Sequence, residues 1–368
     1  MKIKNIVITD VISDDGYSCL AYFARNGFEV WGIVPNINCK VKMPKRIEKN
    51  VHLFKMDMKN KRSIDKTINK IIQETKGQID IFLNNSDHLI MGPIEEIPPA
   101  KVLDLFQTNY FGILHMLQKV ALLFRKRQEG KIINVSTLSA QYSIPFFSHY
   151  ASSKSALEHL SSSLRIELKP FNVQVCTVIL GWIKDARKIT KALSDDELTS
   201  VYSRYMFKMK SEVVKNIENV LPPEKVAEKI FRIADKKRMK PRYYLATFPQ
   251  SFFLYFTRFI TKSIEEEIIL SYFKIIDKRK YRRISIQKDF LLYSGNNKFK
   301  IHLIDISRQG LKFNYFKEGI KIGKKIKINN KEFEITLLSN DMDNRIARIM
   351  FERIIPKGDF KRYIISLK

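Results

Sequence analysis

The first two thirds of the chain alternate short apolar runs with segments of helical periodicity. Six runs rich in β-branched and aromatic residues have the length of buried strands: Asn5–Thr9, Glu29–Val34, Val51–Met56, Ile79–Asn84, Lys131–Ser136 and Val173–Ile179. Helical spacing predicts helices over Tyr17–Asn26, Ile64–Thr75, Ala100–Arg127, His149–Lys169, Pro222–Lys237 and Ser263–Ile276. This alternation predicts an α/β fold, a doubly wound parallel sheet covered by helices on both faces.

The pattern changes after Lys278, where short alternating runs are broken by Gly and Asn, as in SGNNK and KEGIKIGKK. Such runs predict a small all-β antiparallel barrel. The expected organisation is therefore a Rossmann-like domain over residues 1–262, a helical linker over 263–277 and a barrel over 278–368.

Composition fits two domains, because 368 residues at 45% hydrophobic content can bury two cores. Sixty-six Lys and Arg against 38 Asp and Glu give a net charge of +28, which favours an anionic partner or reflects a generally Lys-rich composition. With no aromatic-interleaved basic motif or recognition helix, nucleic acid is not the expected partner, and contact with a membrane surface stays open. The three cysteines are far apart, which argues against a disulfide framework and a metal site.

The N-terminal residues MKIKNIVITD lead straight into a strand and lack the features of a signal peptide, so a cytoplasmic location is expected. The most apolar window, Phe248–Ile260, is too short to span a bilayer and contains Arg258. It is interpreted as a buried helix or a lid over a substrate pocket, with membrane-surface contact as the alternative.

Two short motifs lie in the C-terminal segment. The run from Arg279 to Arg283 contains RxxxR, and the run from Asp305 to Gly310 contains DxSxxG. In this order they resemble the PilZ family, which implies binding of cyclic di-GMP. By that resemblance Arg279 and Arg283 would grip guanine edges and phosphates, as a guanidinium fork can. The resemblance further implies that Asp305 and Ser307 complete the contacts and that Gly310 lets the chain turn.

A second set of motifs lies in the first domain. Tyr150 and Lys154 form YxxxK on one helix face, Thr137 stands thirteen residues before Tyr150, and Asn109 lies in the preceding long helix. Across residues 1–260 the chain resembles the short-chain dehydrogenase/reductase family. The resemblance implies that Tyr150 is the general acid or base and that Lys154 lowers its pKa and holds the nicotinamide ribose. Thr137, or Ser136 in its place, would orient the substrate carbonyl, and Asn109 would support a proton path.

The cofactor-binding turn departs from the family pattern. The family's TGxxxGxG is present as Thr9–Gly16, with Asp10 and Asp14 in place of two glycines. These glycines let backbone N–H groups approach the cofactor pyrophosphate. A carboxylate about 4 Å from a phosphate charge would cost about 4 kcal/mol at an effective dielectric near 20. Alternatively, Ser13, Asp14 and Asp15 cap the N-terminus of the following helix, a role that needs no ligand.

The other positions that contact the cofactor in the family match the family pattern only in part. Asp87 replaces a further family glycine, the loop Leu180–Asp185 lacks the family's Pro and Thr, and Val34–Asn36 shows neither a ribose-binding acid nor a phosphate-binding Arg. Four positions still match cofactor contacts of the family: Thr9, Gly16, Asp57 and Asn84.

Two hypotheses follow from these motifs. The preferred one is a cyclic di-GMP effector whose first domain is a degenerate, non-catalytic interaction module with a protein partner. The alternative is an NAD(P)-dependent oxidoreductase regulated by the same messenger. The resemblance also implies a homodimer formed through the helices that contain Asn109 and Tyr150.

Overall fold

The structure, a computed structural model, describes residues 4–35, 41, 43–181, 202, 205–209, 211, 220–247 and 261–272. It also describes the backbone of six further strands between residues 284 and 351. Contacts divide the chain into two units, Met1–Ile276 and Asp277–Lys368.

The first unit is built on seven parallel strands in the order β3-β2-β1-β4-β5-β6-β7. The strands are β1 (Lys4–Ile8), β2 (Phe28–Val34), β3 (Val51–Lys55), β4 (Ile81–Asn84), β5 (Gly130–Thr137), β6 (Val173–Leu180) and β7 (Arg242–Leu245). Every neighbouring pair is parallel. The predicted Rossmann-like sheet is thereby confirmed, and its strand order changes direction beside β1, where ligands of such sheets bind.

Eight α-helices of the first unit have defined bounds, and residues 205–209 are also helical. The eight are α1 (Asp14–Arg25), α2 (Lys45–Glu48), α3 (Lys61–Glu74), α4 (Pro99–Phe106), α5 (Gly112–Arg127), α6 (Ser148–Glu167), α7 (Pro223–Asp235) and α8 (Lys262–Tyr272). Shorter helical segments are a π-helix at Gln107–Phe111 and 3-10 turns at Leu138–Ala140 and Lys169–Phe171. The helix predicted over Ala100–Arg127 is thus two α-helices joined by a π-helical segment, in which the backbone hydrogen bonds span five residues and not four.

Two apolar cores cover the two faces of the sheet. Successive side chains of a strand point to opposite faces, so Ile6 and Ile8 of β1 join one core and Val7 joins the other. Helices α1 and α7 pack on the first face, and α3, α5 and α6 pack on the second. The buried aliphatic run of β1 therefore forms the centre of a three-layer domain.

The second unit contains six strands: β8 (Ile284–Ser294), β9 (Asn297–Ser307), β10 (Gly310–Tyr315), β11 (Lys325–Ile328), β12 (Lys331–Asp341) and β13 (Ile346–Phe351). They close into a barrel in the order β10-β13-β12-β11-β8-β9, with antiparallel neighbours throughout. Closure of the sheet leaves no unpaired edge strand.

Candidate active site

The turn between β1 and α1 keeps a tight conformation despite its lost glycines. Asp10 has φ of 53°, in the left-handed region that Asp tolerates better than most residues. Ser13 caps α1, because its hydroxyl accepts a hydrogen bond from the Gly16 amide at 3.3 Å and donates to the Asp10 carbonyl at 2.8 Å. The predicted N-cap is confirmed, and the turn places the N-terminus of α1 at the carboxyl edge of the sheet.

Gly16 is the glycine of this turn that the sequence keeps, and the structure gives the reason. A Cβ atom added there would overlap the carbonyl oxygen of Asp10, which is backbone and cannot rotate away. Asp10 requires only a conformation that Asp can adopt, whereas Gly16 requires the absence of a side chain. The two positions are therefore not equivalent, although both are glycine in the family motif.

A buried chain of side-chain hydrogen bonds fixes the ends of three strands. Thr9 Oγ1 donates to Asn84 Oδ1 at 3.3 Å, and Asn84 Nδ2 donates to Asn134 Oδ1 at 3.1 Å. Asn134 Nδ2 donates to Ser161 Oγ of α6 at 2.9 Å, and the Asn85 amide donates to Thr9 Oγ1 at 2.8 Å. These hydrogen bonds connect β1, β4 and β5 to α6 at the edge of the sheet where the candidate site lies.

Tyr150 and Lys154 lie one turn apart on α6, and both are buried, at 7% and 1% exposure. The Lys154 ammonium donates to the Ser86 carbonyl at 2.9 Å and to the Val135 carbonyl at 3.5 Å. It also lies 3.2 Å from a carboxylate oxygen of Asp87, and the Tyr150 hydroxyl donates to the other oxygen of that carboxylate at 3.2 Å. The predicted pair is therefore brought together and linked by Asp87.

Asn109 occupies the π-helical segment, and its side chain is fully buried. Its amide clamps the backbone of His88, accepting from the N–H at 2.8 Å and donating to the carbonyl at 2.8 Å. The same Nδ2 donates to Ser153 Oγ of α6 at 3.1 Å. A π-helical turn often marks a functional position, and here it directs Asn109 towards α6 and the loop after β4.

The two hydroxyls proposed beside Tyr150 differ in their surroundings. Ser136 donates to the Glu158 carboxylate at 2.5 Å, and the Gln141 side-chain amide donates to its other oxygen at 2.5 Å. Burial raises the pKa of Glu158, while these hydrogen bonds act in the opposite direction. Thr137 instead accepts hydrogen bonds from the amide and hydroxyl of Ser139. Ser136 is thus bonded to Glu158 and Thr137 to Ser139, and the assignment of Thr137, with Ser136 as the alternative, as the hydroxyl that orients the substrate remains a prediction.

An apolar cluster that the sequence analysis did not single out surrounds Tyr150. It contains Ile90, Met91, Leu105, Ile144, Phe147, Met206, Met209 and Ile269. These residues come from the loop after β4, from α4, from the segment before α6, from 205–209 and from α8. No periodicity in the sequence links segments so far apart, so this wall could be found only from the fold.

The remaining predicted residues lie apart from this cluster or outside the description. Asp57 is exposed after β3, where its carboxylate accepts a hydrogen bond from the Lys59 amide at 2.9 Å. Asp305 and Ser307 lie on β9, and Ser307 is opposite Gly310 of β10. The other positions named above lie outside the described residues: Arg279, Arg283, Phe248–Ile260, Asn36 and Trp182–Asp185.

Comparison with known proteins decides the family. Residues 4–197 match the family described as short chain dehydrogenase. The chain belongs to this family. Among curated relatives, the uncharacterized oxidoreductase YusZ of Bacillus subtilis is 34% identical over 200 residues, covering 53% of this chain and 70% of that protein. The probable short-chain type dehydrogenase/reductase VdlC of Helicobacter pylori is 28% identical over 237 residues, 64% and 86% of the two chains.

A third relative of this short-chain dehydrogenase, the 3-ketodihydrosphingosine reductase of Bacteroides thetaiotaomicron, is 28% identical over 241 residues, 64% of this chain and 86% of that one. Among solved structures, a short-chain dehydrogenase of Streptomyces avermitilis has a TM-score of 0.61 at 21% identity, covering 75% of this chain and 97% of that one. ElxO with NADP bound has a TM-score of 0.57 at 18% identity, covering 66% and 97%. These two structures support the fold.

The preferred hypothesis of a cyclic di-GMP effector with a non-catalytic first domain is wrong. The relatives of that domain are oxidoreductases and dehydrogenases, and nothing in the comparisons supports a PilZ domain or binding of cyclic di-GMP. The cyclic di-GMP hypothesis rested on two short motifs, RxxxR and DxSxxG, in a chain with 66 Lys and Arg, and the non-catalytic interpretation treated all three glycines of TGxxxGxG as equally necessary. The structure retains the turn with Asp10 in the left-handed region and Gly16 at the crowded position.

Among the helices that the structure describes, none has the length and apolar character needed to cross a bilayer.

Proposed function

We propose that this short-chain dehydrogenase is an NAD(P)-dependent oxidoreductase that interconverts a carbonyl and an alcohol. The observation that carries the proposal is the convergence of Tyr150, Lys154 and Asn109 on the loop after β4, next to the tight turn that begins α1. The donors of a proton-transfer site and a turn suited to a dinucleotide thus share the carboxyl edge of one parallel sheet.

The residues present fit a nicotinamide dinucleotide. The turn from Asp10 to Gly16 presents the N-terminus of α1, and the positive end of the helix dipole there favours the pyrophosphate. Asp57 lies exposed after β3, where the family resemblance assigns the adenine contact, and Lys154 would meet the ribose of the nicotinamide. The carboxylates of Asp10 and Asp14 weaken this binding without closing the turn.

The bound cofactor would supply or accept the hydride, and the chain would supply the proton. The hydroxyl of Tyr150 is the proton donor or acceptor for the substrate oxygen, and Lys154 stabilises the charge that develops on it. Thr137 would orient that oxygen with its hydroxyl. Asn109 would keep the loop containing His88 against α6.

The apolar cluster around Tyr150 favours a substrate whose carbonyl adjoins a hydrocarbon group. The buried members of this cluster keep water from one side of Tyr150. The partly buried Leu89, Ile97, Tyr142 and Phe146, which pack against them, would offer apolar surface for a hydrocarbon group of the substrate to cover. The name of the Bacteroides relative, a 3-ketodihydrosphingosine reductase, is compatible with a lipid-like ketone. Sugars and other strongly hydrated carbonyl compounds would lose more free energy of hydration than they gain from contact with this apolar cluster.

The test is calorimetric titration with NADPH and NADH, followed by cofactor oxidation assays with a panel of long-chain ketones and small sugars. We expect binding of at least one cofactor and turnover of apolar ketones. Tyr150→Phe should retain cofactor binding and lose at least about a hundredfold in turnover, the usual contribution of a proton donor. Absence of NADPH and NADH binding by wild type and by Asp10→Gly, both folded, would refute the proposal.

A further inference from the structure

Asp87 stands where the family motif has glycine, and its carboxylate bridges the two groups on which the proposed chemistry depends. One oxygen accepts a hydrogen bond from the Tyr150 hydroxyl at 3.2 Å, and the other lies 3.2 Å from the Lys154 ammonium. The side chain of Lys154 is 2% exposed and that of Asp87 is 13% exposed. The bridge therefore lies in a site largely closed to water, where charges act strongly on each other.

The backbone on both sides of Asp87 is held in place. Ser86, which precedes it, has its carbonyl bonded to the Lys154 ammonium and its amide bonded to Asn84 Oδ1 at 3.2 Å. His88, which follows it, has both backbone groups bonded to the Asn109 side chain. The placement of the carboxylate is thus determined by contacts from β4, α6 and the π-helical segment.

The negative charge of the Asp87 carboxylate acts on the ionisation of the Tyr150 hydroxyl. An ionised carboxylate can only accept hydrogen bonds, so Tyr150 must be the donor and must carry its proton. A negative charge beside a phenol also disfavours the phenolate, whereas Lys154 alone would favour it. Asp87 partly offsets the charge of Lys154 at the phenol oxygen.

We propose that Asp87 is a positioning residue that holds Tyr150 in its protonated form, the form that a carbonyl reduction consumes. This proposal rests on the proposed function. In the reduction, a bound NAD(P)H would supply the hydride to the carbonyl carbon and become NAD(P)+, and Tyr150 would give its proton to the carbonyl oxygen, so that a C–H and an O–H bond replace the C=O π bond. The tyrosinate then regains a proton from water. The site is accordingly set for reduction at neutral pH.

Other titratable groups on the surrounding elements must be considered in any titration. Among the described residues, apart from Asp87, Tyr150 and Lys154, they are Asp10, Asp14 and Asp15 of the turn and α1, His88 of the loop, Tyr142 before α6, His149 and Glu158 of α6, Tyr205 of the 205–209 segment, and Glu265 and Tyr272 of α8. Glu158 interacts electrostatically with Lys154, and Tyr142 packs with the cluster around Tyr150. All remain unchanged between the variants compared below, so differences report on Asp87.

The test is a titration of tyrosinate absorbance in the full chain without cofactor. The signal of Tyr150 is obtained by subtracting the titration of Tyr150→Phe from that of wild type, and likewise in the Asp87→Asn background. We expect Tyr150 to ionise about 1 to 3 pH units lower in Asp87→Asn, the range expected when a nearby charge is removed. Asp87→Gly should show the same direction.

The control is Asp104→Asn, which removes a surface carboxylate paired with Lys59 and should leave the midpoint unchanged. Circular dichroism of each variant at each pH limits the comparison to folded protein. If Tyr150 ionises at the same or a higher pH in Asp87→Asn than in wild type, the proposal is overturned. Because the titration uses no cofactor, failure of NADPH and NADH binding would overturn the proposed function without changing this result.

Discussion

The hydroxyl of Ser136 donates a hydrogen bond of 2.5 Å to the carboxylate of Glu158. Glu158 lies on α6, one turn after Lys154. Burial is the largest influence on this carboxyl and raises its pKa above the ordinary value of 4.5. A raised pKa means that the folded state holds the proton more tightly than the unfolded state. Stability from this group is therefore fully present below pH 4.5 and is lost as pH rises through the raised pKa.

Glu158→Gln should remove this pH dependence, because a neutral amide has no proton to release. We expect the free energy of unfolding of wild type, relative to the variant, to fall as pH rises from about 4 towards neutrality. Urea unfolding at a series of pH values measures it. Glu228→Gln on α7 is the control of opposite sign: the hydrogen bond with Lys225 lowers the pKa of Glu228, so wild type should gain stability relative to this variant as pH rises. A parallel course of wild type and Glu158→Gln would contradict the expectation.

Asn109→Ala should destabilise the first unit, because the buried Asn109 side chain makes two hydrogen bonds to the backbone of His88 and one to Ser153, and all three are lost. An unsatisfied buried polar group costs about 1 to 3 kcal/mol. Denaturant unfolding gives the free energy, and Gln107→Ala, an exposed position in the same π-helical segment, is the control. Equal unfolding free energies for the two variants would show that the clamp contributes little.

Asp10→Gly should strengthen binding of NADPH, because it removes a negative charge from the turn that would meet the pyrophosphate. It also removes a side chain from the left-handed region. We expect affinity to rise about tenfold, equivalent to about 1.4 kcal/mol, which is less than the unscreened Coulomb cost. Calorimetric titration measures this, with Gly16→Ala as the opposing variant, in which Cβ overlaps the Asp10 carbonyl and binding should fall. Unchanged affinity in Asp10→Gly would mean that its carboxylate points away from the phosphates.

A homodimer through α5 and α6 remains a prediction. Both helices carry large apolar side chains that are exposed in the single chain, Leu122 at 45% and Ile166 at 64%. Light scattering at micromolar concentration should give twice the mass of one chain, and Ile166→Lys should halve it. Ile264→Lys on α8, where the isoleucine is 48% exposed, should leave the mass unchanged. A wild-type mass of one chain would contradict the prediction.

Hydrophobic patterning located six strands of the parallel sheet, and it missed the seventh for a physical reason. Strand β7 has only four residues, RYYL, and begins with an exposed Arg after a proline, so it carries no buried run. It forms because Tyr243 and its neighbours pair with β6 at the edge of the sheet. Pairing with an existing edge needs less apolar content than a central strand does.

The sequence predicted only part of the candidate site, because sequence patterns show local relationships and not contacts between distant residues. Spacing on one helix placed Tyr150 and Lys154 together, since a period of 3.6 residues is a local property. The link through Asp87 joins residues more than sixty positions apart, and no local pattern carries it. The π-helical segment at Asn109 was also missed, because its sequence, QTNYF, is compatible with an ordinary α-helix.

The hydrogen-bonded chain from Thr9 through Asn84 and Asn134 to Ser161 has a consequence for ligand affinity. These groups satisfy one another before any ligand arrives, so the strand ends need no further ordering on binding. The conformational entropy of this edge is lost during folding, so it does not reduce the free energy of binding a cofactor or substrate. In the proposed cofactor site, such preorganisation would offset part of the cost of the carboxylates of Asp10 and Asp14.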